Sequence, residues 1–304
     1  MATYQAFGLT IQSTLPFPEL DPAFGDMLDV VIRQAPLRRP KRASTGPCLQ
    51  AGMEETHLWW ADVGSVAIRE GREIIVDPLP EVDERVVRLA VLGSALGVLL
   101  HQRGMLALHA SAVEIGETGI LFVGESGQGK STTAAALVAE GAVLLADDVA
   151  AIDQQSGTKP QVLPALSRLK LDVEPALQFG FPSEMLVEFH ECDPRRAYPI
   201  YRSVPPLPHP INHIFVLREG PEVMVRPCQP QEAFIELIRH SYALRLLGSA
   251  GATPTHFEQC AALVHTVPIS WLERPRDLAV LPQVVQIAEL AAQHTQTLLT
   301  SHVC

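Results

Sequence analysis

The sequence predicts an α/β fold in which a β-rich N-terminal domain precedes an α/β core. Residues 119–131 form an apolar run that leads into Gly-x-x-x-x-Gly-Lys-Ser, and helix-forming sequence continues to Ala139. Residues 142–148 are a second apolar run that ends in two aspartates. Residues 1–80 instead show the period-two alternation of strands, separated by prolines that suit turns and sheet edges. These three patterns are typical of an α/β protein with an additional β-rich region.

The composition excludes several classes of protein. The 304 residues carry a net charge of -11, which argues against a non-specific binder of nucleic acid or of anionic membranes. The most apolar stretch, residues 89–100, is too short to span a bilayer. The first residues have no basic segment followed by an apolar one, so we expect no secretory signal and a cytoplasmic protein.

The cysteines do not predict a metal site. The five cysteines form no Cys-x-x-Cys pair, and their odd number and wide spacing fit reduced thiols. They lie at positions 48, 192, 228, 260 and 304.

The first part of the chain predicts strands followed by one helix. Strands are expected at residues 7–13, 29–33 and 64–69. From residue 81 the apolar spacing becomes helical, and the acidic first turn suits a helix N-terminus. We therefore predict a β-rich N-terminal domain at 1–80 and a connecting helix at 81–104.

The remainder, residues 105–304, is predicted to be one nucleotide-binding catalytic domain. The all-apolar run at 142–146 is expected to be a central strand. Residues 181–210 are polar and rich in proline, which predicts a long loop that is either a lid or a variable insertion. The other predicted strands are 106–113, 119–123, 167–172, 211–218, 222–225 and 267–272, and the predicted helices are 132–139, 254–266 and those beginning near Pro230 and Pro282.

The glycine-rich segment has the spacing of a phosphate-binding loop. Its glycines allow successive backbone N–H groups to turn inward, and the following helix adds the partial positive charge of its N-terminus. Lys130 would supply a mobile cation for the β- and γ-phosphates, and the Ser131 hydroxyl is a ligand for Mg²⁺. The alternative is an ordinary glycine-rich turn between a strand and a helix. The candidate nucleotide-binding residues are Gly124, Glu125, Ser126, Gly127, Gln128, Gly129, Lys130, Ser131 and Thr132.

The two aspartates predict a second function beside this loop. One carboxylate can hold Mg²⁺, directly or through water, while the other accepts the proton of an attacking hydroxyl. Repulsion between adjacent carboxylates raises one of their pKa values, which favours a base that can exchange protons near neutrality. Neighbouring side chains on a strand point to opposite faces, so both reach one site only where the strand ends and twists. The alternative is the acidic pair of a hydrolase that only consumes nucleotide.

Three segments together resemble the catalytic core of the HPr kinase/phosphorylase family. They are Leu108-His109-Ala110, the loop Gly124 to Ser131, and Leu145-Ala146-Asp147-Asp148, with only 16 residues from Ser131 to Asp147. The resemblance covers about residues 105–290 and is strongest at 106–150. The opening residues 4–20 are similar to the start of shorter HPr-kinase-like proteins, some of which modify peptides such as lasso-peptide precursors.

The resemblance implies a fold and a set of roles. The fold would be a P-loop-containing core like that of HPr kinase and phosphoenolpyruvate carboxykinase. Lys130 and the loop amides would bind the phosphates of ATP, and Ser131 and Asp147 would be on the metal side. Asp148 would be the base, and His109 would tune the carboxylates, although a histidine on its own is more often a packing residue. A homo-oligomer is a further expectation.

One departure from the family pattern bears on the substrate. Residues 163–171 contain neither glutamate nor glycine where the family carries a glycine-rich signature with a glutamate. This argues against a phosphorylase reaction and against HPr as the substrate. Arg168 shares a strand face with Lys170, where a phosphate contact and a solvated face are equally good readings. Arg195 and Arg196 are candidate contacts for an anionic or C-terminal group of a peptide, as is Arg202.

These observations favour an ATP- and Mg²⁺-dependent kinase that acts on a serine hydroxyl of a peptide or small protein. A kinase for a small hydroxylated metabolite is the first alternative. The second is a nucleotide-gated binding module whose ATP turnover is incidental. Release of ADP that depends on an acceptor separates both kinases from the module, and the size of the acceptor separates the two kinases.

Overall fold

The structure is a computed structural model that describes most of the chain. The described residues are 1–23, 27–38, 48–52, 54–154, 159–165, 168–182, 184, 187–190, 193–200, 207–242, 244 and 253–300, and among these only the backbone is described for 48, 49, 187–190, 193, 194 and 294–300. The predicted contact Arg202 and the cysteines at 192 and 304 lie outside these ranges. Cys228 and Cys260 are both free thiols.

The N-terminal part forms one eight-stranded sheet with the order β3-β1-β2-β4-β8-β7-β6-β5. A tight turn at Phe7 and Gly8, both with positive φ, joins the first two strands. Pairing of β2 with β4 and of β4 with β8 is parallel, and the other pairs are antiparallel. The strands are β1 Ala2–Ala6, β2 Leu9–Ser13, β3 Asp21–Pro22, β4 Val30–Gln34, β5 Cys48–Gln50, β6 Glu55–Trp60, β7 Gly64–Arg69 and β8 Glu73–Pro78.

The segment predicted as one connecting helix is a helix with an interruption. Helix α1 spans Glu84–Ala90 and helix α2 spans Leu96–Gln102, with a π-helical turn at Val91–Ala95 between them. The first turn begins at residue 84 rather than 81 because Asp83 caps it, accepting a hydrogen bond from the Arg85 N–H at 2.8 Å. Such π turns widen a helix locally and are frequent at functional sites.

A second, nine-stranded sheet forms the core. Its main order is β12-β10-β11-β18-β14-β13-β9, and β18 also pairs with β20, which pairs with β19. Strands β11, β18 and β20 are mutually parallel, so their carboxyl ends meet at one edge of the sheet. The strands are β9 Leu106–Leu108, β10 Ala110–Ile115, β11 Thr118–Val123, β12 Val143–Ala146, β13 Ala150–Asp153, β14 Gln161–Leu163, β18 His209–Glu219, β19 Met224–Pro227 and β20 Ile269–Arg274.

Two strand predictions in this core are wrong in detail. The single strand expected at 106–113 is broken at His109, because β9 pairs with β13 whereas β10 pairs with β11 and β12. The apolar run at 142–146 does not form a central strand, since β12 is at the edge of the described sheet. It is apolar because both of its faces are covered, with Leu144 and Leu145 buried in different core clusters.

The loop predicted at 181–210 contains two strands. Strands β16 Val187–His190 and β17 Asp193–Pro199 form a three-stranded sheet with β15 Arg168–Leu171, in the order β15-β17-β16. The prolines of β17 lie near its two ends, where a missing N–H disturbs the sheet least. The buried Tyr198 ring packs on Phe181, with 4.2 Å between the ring centroids.

The remaining helices cover the sheets, and one apolar core crosses the predicted domain boundary. A single cluster of buried residues includes Ile11 of the first sheet, Leu96 of α2 and Ile152 of the second sheet. The predicted boundaries at 80 and 104 remain a prediction. No helix in the described part of the chain is long and apolar enough to cross a membrane. The helices are α3 Lys130–Ala139, α4 Val173–Gln178, α5 Pro230–Arg239, α6 Pro254–Thr266 and α7 Leu281–Thr300.

Candidate active site

The glycine-rich loop connects the carboxyl end of β11 to the N-terminus of α3. Gly127 and Gly129 have φ values of 84° and 80°, in the left-handed region that favours glycine. A side chain at Gly129 would also collide with the Arg274 guanidinium. At Gly124 a Cβ would lie 3.2 Å from the Leu217 carbonyl oxygen, so a side chain there would press the loop away from β18.

The Lys130 side chain folds back over the loop. Its Nζ donates hydrogen bonds to the carbonyl oxygens of Gly124 at 2.9 Å and Glu125 at 3.1 Å, and only 6% of the residue is exposed. Helix α3 begins at Lys130, two residues earlier than predicted. A buried ammonium group therefore lies across the concave side of the loop.

The Asp147 carboxylate is held inside the protein by three donors. Its Oδ1 accepts hydrogen bonds from Ser111 Oγ at 2.6 Å and from Ser131 Oγ at 2.8 Å. Its Oδ2 accepts one from the backbone N–H of Lys170 at 2.9 Å. Burial raises the pKa of Asp147, and the three hydrogen bonds oppose this effect without cancelling it. The raised pKa that the sequence predicted for the base thus belongs to Asp147, the residue expected on the metal side, and the prediction is wrong in this respect.

The Asp148 carboxylate is in a different environment. Its backbone has a φ of 77°, a left-handed conformation that lets a residue directly after Asp147 direct its side chain into the same cavity. His109 Nδ1 lies 2.9 Å from Asp148 Oδ1, and a Cβ at Gly93 of the π turn would lie 3.6 Å from Oδ2. The side chain keeps 45% of its surface exposed.

The pKa of Asp148 lies well below its usual range. The atoms packed around the carboxylate disfavour its charged form, but the solvent that reaches its exposed side weakens this effect. The hydrogen bond and charge of His109, the charge of Lys170 and a hydrogen bond from Tyr242 outweigh it. Asp148 is consequently ionised at neutral pH and able to accept a hydrogen bond from a ligand.

Most of the predicted site residues line one cavity. Gly124, Glu125 and Gln128 do not line it, but their carbonyl oxygens accept hydrogen bonds from Lys130 or Arg274. The lining residues are His109, Ser126, Gly127, Gly129, Lys130, Ser131, Thr132, Asp147, Asp148, Lys170, Asp172 and Arg195.

Of the three arginines that the sequence suggested as substrate contacts, one lines the cavity and two do not. Arg195 lines the cavity, whereas Arg196, the next residue on β17, does not, because successive side chains on a strand point to opposite faces. Arg168 does not line it either. Its side chain is 12% exposed and its Nη1 lies 3.5 Å from Glu19 Oε1, so neither a solvated face nor an open phosphate contact describes it.

Sequence reasoning missed two residues that hold the site together. Ser111 lies two positions after His109, a spacing that places both on the same side of an extended chain and could have indicated its role. Arg274 ends β20, beyond the strand predicted at 267–272, and its side chain reaches the back of the phosphate loop. No local motif marks this residue.

Comparison with known proteins defines the class of the matched segment first. Residues 103–166 match the family model described as the HPr Serine kinase C-terminal domain. This segment contains His109, the glycine-rich loop, Ser131 and both aspartates.

Two curated relatives similar to part of this chain are both named HPr kinase/phosphorylase. The HPr kinase/phosphorylase of Limosilactobacillus reuteri (strain DSM 20016) is 45% identical over 69 residues, which are 21% of this chain and 22% of the relative. That of Lactobacillus delbrueckii subsp. bulgaricus is 33% identical over 111 residues, 34% of each chain. The match therefore spans about a fifth to a third of the length of these curated relatives.

A solved structure, the Hpr(Ser) kinase/phosphatase from Coxiella burnetii, aligns with 62% of this chain and 98% of its own at 14% identity and a TM-score of 0.33. The resemblance to the HPr kinase/phosphorylase family that the sequence predicted is confirmed, on the family model and the curated relatives.

Proposed function

We propose that the chain is an ATP- and Mg²⁺-dependent kinase that transfers the γ-phosphoryl group to a serine hydroxyl of a peptide or small protein. The observation that carries this proposal is the presence of two differently held carboxylates beside one glycine-rich loop. Asp147 is buried and bonded to Ser131, and Asp148 is ionised and partly exposed beside His109. A hydrolase that only consumes nucleotide would use the same pair with water as the acceptor, so the two functions are separated by acceptor-dependent transfer.

The residues around Asp147 suit a magnesium ion. Ser131 Oγ and Asp147 Oδ1 lie 2.8 Å apart. Adjacent ligands of an octahedral Mg²⁺, each about 2.1 Å from the ion, are separated by roughly 3 Å. No group of three His, Cys, Asp or Glu side chains in the described part of the chain forms a metal cage, which agrees with an ion held by few protein ligands and by phosphate oxygens. Bound there, Mg²⁺ would neutralise charge on the β- and γ-phosphates.

The chain's own groups would then act by position and charge. Lys130 and the N–H groups of the loop hold the β- and γ-phosphates, while Asp148 accepts a hydrogen bond from the acceptor hydroxyl and orients it in line with phosphorus. The bond from phosphorus to the β,γ-bridging oxygen breaks, and a bond to the acceptor oxygen forms. The hydroxyl proton passes to the Asp148 carboxylate. The lowered pKa keeps Asp148 ionised at neutral pH, so its carboxylate can accept the hydrogen bond that orients the hydroxyl.

The acceptor is proposed to be a peptide or protein on the basis of the exposed side of the cavity. Asp148 keeps nearly half of its side-chain surface exposed. Lys170 and Arg195 line the same cavity and offer positive charge to a carboxylate of the acceptor. The curated relatives are named for HPr, and the absence of a glycine-rich, glutamate-containing signature at 163–171 argues that this chain uses another acceptor.

A transfer experiment with the full chain tests this function. The purified protein is incubated with γ-labelled ATP, Mg²⁺ and a panel of acceptors that contains serine peptides, HPr, free serine and small hydroxy acids. We expect one phosphate on a peptide serine, detected by mass spectrometry, and its loss in Asp148→Asn. Labelling of a hydroxy acid alone would make the chain a metabolite kinase. Release of label only as free phosphate would favour the nucleotide-gated module.

A further inference from the structure

A buried arginine lies behind the phosphate loop. Arg274 is the last residue of β20, and only 6% of it is exposed. Because β20 is parallel to β18 and β18 is parallel to β11, Arg274 reaches the same edge of the sheet at which the loop leaves β11. Its position follows from the topology, although 145 residues separate it from Gly129.

The guanidinium group of Arg274 binds the backbone of the loop. Its Nη2 lies 3.3 Å from the Gln128 carbonyl oxygen, 3.4 Å from that of Gly129 and 3.4 Å from Thr133 Oγ1. Its Nη1 donates to the Pro275 carbonyl oxygen at 3.2 Å. The space that a Cβ at Gly129 would need is filled by Nη2, so the glycine and the arginine fit each other.

The charge of Arg274 is not neutralised by a neighbouring carboxylate. No acidic side chain in the described part of the chain lies within 4.0 Å of the guanidinium, and its Nε is a buried donor without a hydrogen-bond partner. Burial lowers the pKa of Arg274, but an arginine still remains protonated at neutral pH. An unpaired buried charge is costly, so its presence directly behind a loop of phosphate-binding type calls for an anion in front of the loop.

We infer that Arg274 is a positioning residue for the polyphosphate end of a nucleotide, an inference that rests on the function proposed above. A peptide unit is planar and trans, so its C=O and N–H groups point in opposite directions. By holding the carbonyls of Gln128 and Gly129, Arg274 keeps the N–H groups of Gly129 and Lys130 directed away from itself, toward the concave side of the loop. The phosphates bound there also balance its charge.

Nucleotide binding by Arg274→Gln tests the inference, with Arg276→Gln as the matched control. Arg276 lies two residues further on, is 61% exposed and pairs with Glu219 at 2.9 Å, outside the site. We expect Arg274→Gln to weaken binding of ATP and of inorganic triphosphate by about tenfold or more, as the loss of hydrogen bonds to a charged group implies. The increase of Tm on adding ATP should shrink, and the control should match wild type.

A purely structural role would lower the Tm of the free protein and leave both the affinity and the ATP-induced increase of Tm within twofold of wild type, which would overturn the inference. If Arg274→Gln does not fold, Arg274→Lys decides. It keeps a positive charge but loses the planar fork, so we expect weaker ATP binding, and wild-type affinity would overturn the role in positioning. If wild type itself binds no nucleotide, the proposed function fails and not this inference alone.

Discussion

Asp147 and Asp148 are adjacent in sequence and line the same cavity, yet their carboxylates are in contrasting environments. Asp147 is buried, bonded to two serine hydroxyls and one backbone N–H, and has a raised pKa. Asp148 is partly exposed, takes a left-handed backbone and has a lowered pKa beside His109. The difference shows that the environment, rather than the residue type, gives the two carboxylates different proposed roles. A buried carboxylate held by three donors suits a bound metal ion. A partly exposed, ionised carboxylate suits an acceptor that binds from solution.

The largest effect is expected when Asp148, the more exposed carboxylate, loses its charge. Asp148→Asn should lower kcat by roughly 10²- to 10⁴-fold, the usual range for loss of a general base. Binding of ATP should remain within a fewfold of wild type, because Asp148 does not hold the phosphates. Transfer kinetics and nucleotide titration measure the two quantities. Asp62→Asn, in an exposed turn of the first sheet, is the control, and equal transfer by Asp148→Asn and wild type would remove Asp148 from the role of base.

Replacing Asp147, the buried carboxylate, should mainly change the dependence of transfer on metal. Asp147→Asn weakens a proposed ligand of Mg²⁺, so the Mg²⁺ concentration for half-maximal transfer should rise by about 10- to 100-fold. Activity of wild type should disappear with EDTA and return with excess Mg²⁺. A variant with lower kcat but an unchanged Mg²⁺ requirement would show that the two carboxylates do not differ as described.

His109 offers a smaller change with a pH signature. His109→Gln removes the ring nitrogen that lies 2.9 Å from Asp148 Oδ1, and kcat should fall roughly tenfold, as the loss of one hydrogen bond of about 1.4 kcal/mol implies. Because His109 helps to lower the pKa of Asp148, its removal raises that pKa. The acidic limb of the kcat/KM profile should therefore move to higher pH.

The exposed His265 on α6, replaced by glutamine, is the control for His109. An unchanged acidic limb in His109→Gln would separate His109 from Asp148.

The smallest expected effect concerns the support of Asp147. Ser111→Ala removes one of its three donors, so the half-maximal Mg²⁺ concentration should rise only about two- to fivefold. A titration of Mg²⁺ beside Asp147→Asn measures the ratio. An effect as large as that of Asp147→Asn would mean that Ser111, rather than the carboxylate alone, determines the metal side.

Sequence predicted the parts of the site that local spacing determines. The strand, the loop and the helix at 118–139 follow from glycine spacing and apolar pattern, and the aspartate pair follows from its place after an apolar run. The pattern could not show that Asp148 becomes left-handed, because that conformation depends on the surrounding contacts. It predicted a raised pKa for the base, whereas the pKa of Asp148 is lowered and that of Asp147 is raised, because burial of Asp147 is a tertiary effect.

The errors in the fold have similar causes. Strands β16 and β17 were missed because the prolines of residues 181–210 predicted a loop, whereas β16 has no proline and those of β17 lie near its ends. The edge position of β12 was missed because cover on both faces produces the same apolar run as a central position. Arg274 had no sequence signal, since its contact with Gly129 joins residues 145 positions apart.

One apolar cluster that crosses the predicted domain boundary joins the matched segment to the first sheet. Residues 103–166 match a family domain, and some of their buried residues, such as Leu106, Leu121 and Leu145, pack in one cluster with leucines of the connecting segment and with the first sheet. Uncovering each such leucine costs roughly 1.5–3 kcal/mol, a large share of the stability of an ordinary domain. The first hundred residues thus contribute to the hydrophobic interior beside the matched segment, and we expect that segment to lose stability without them.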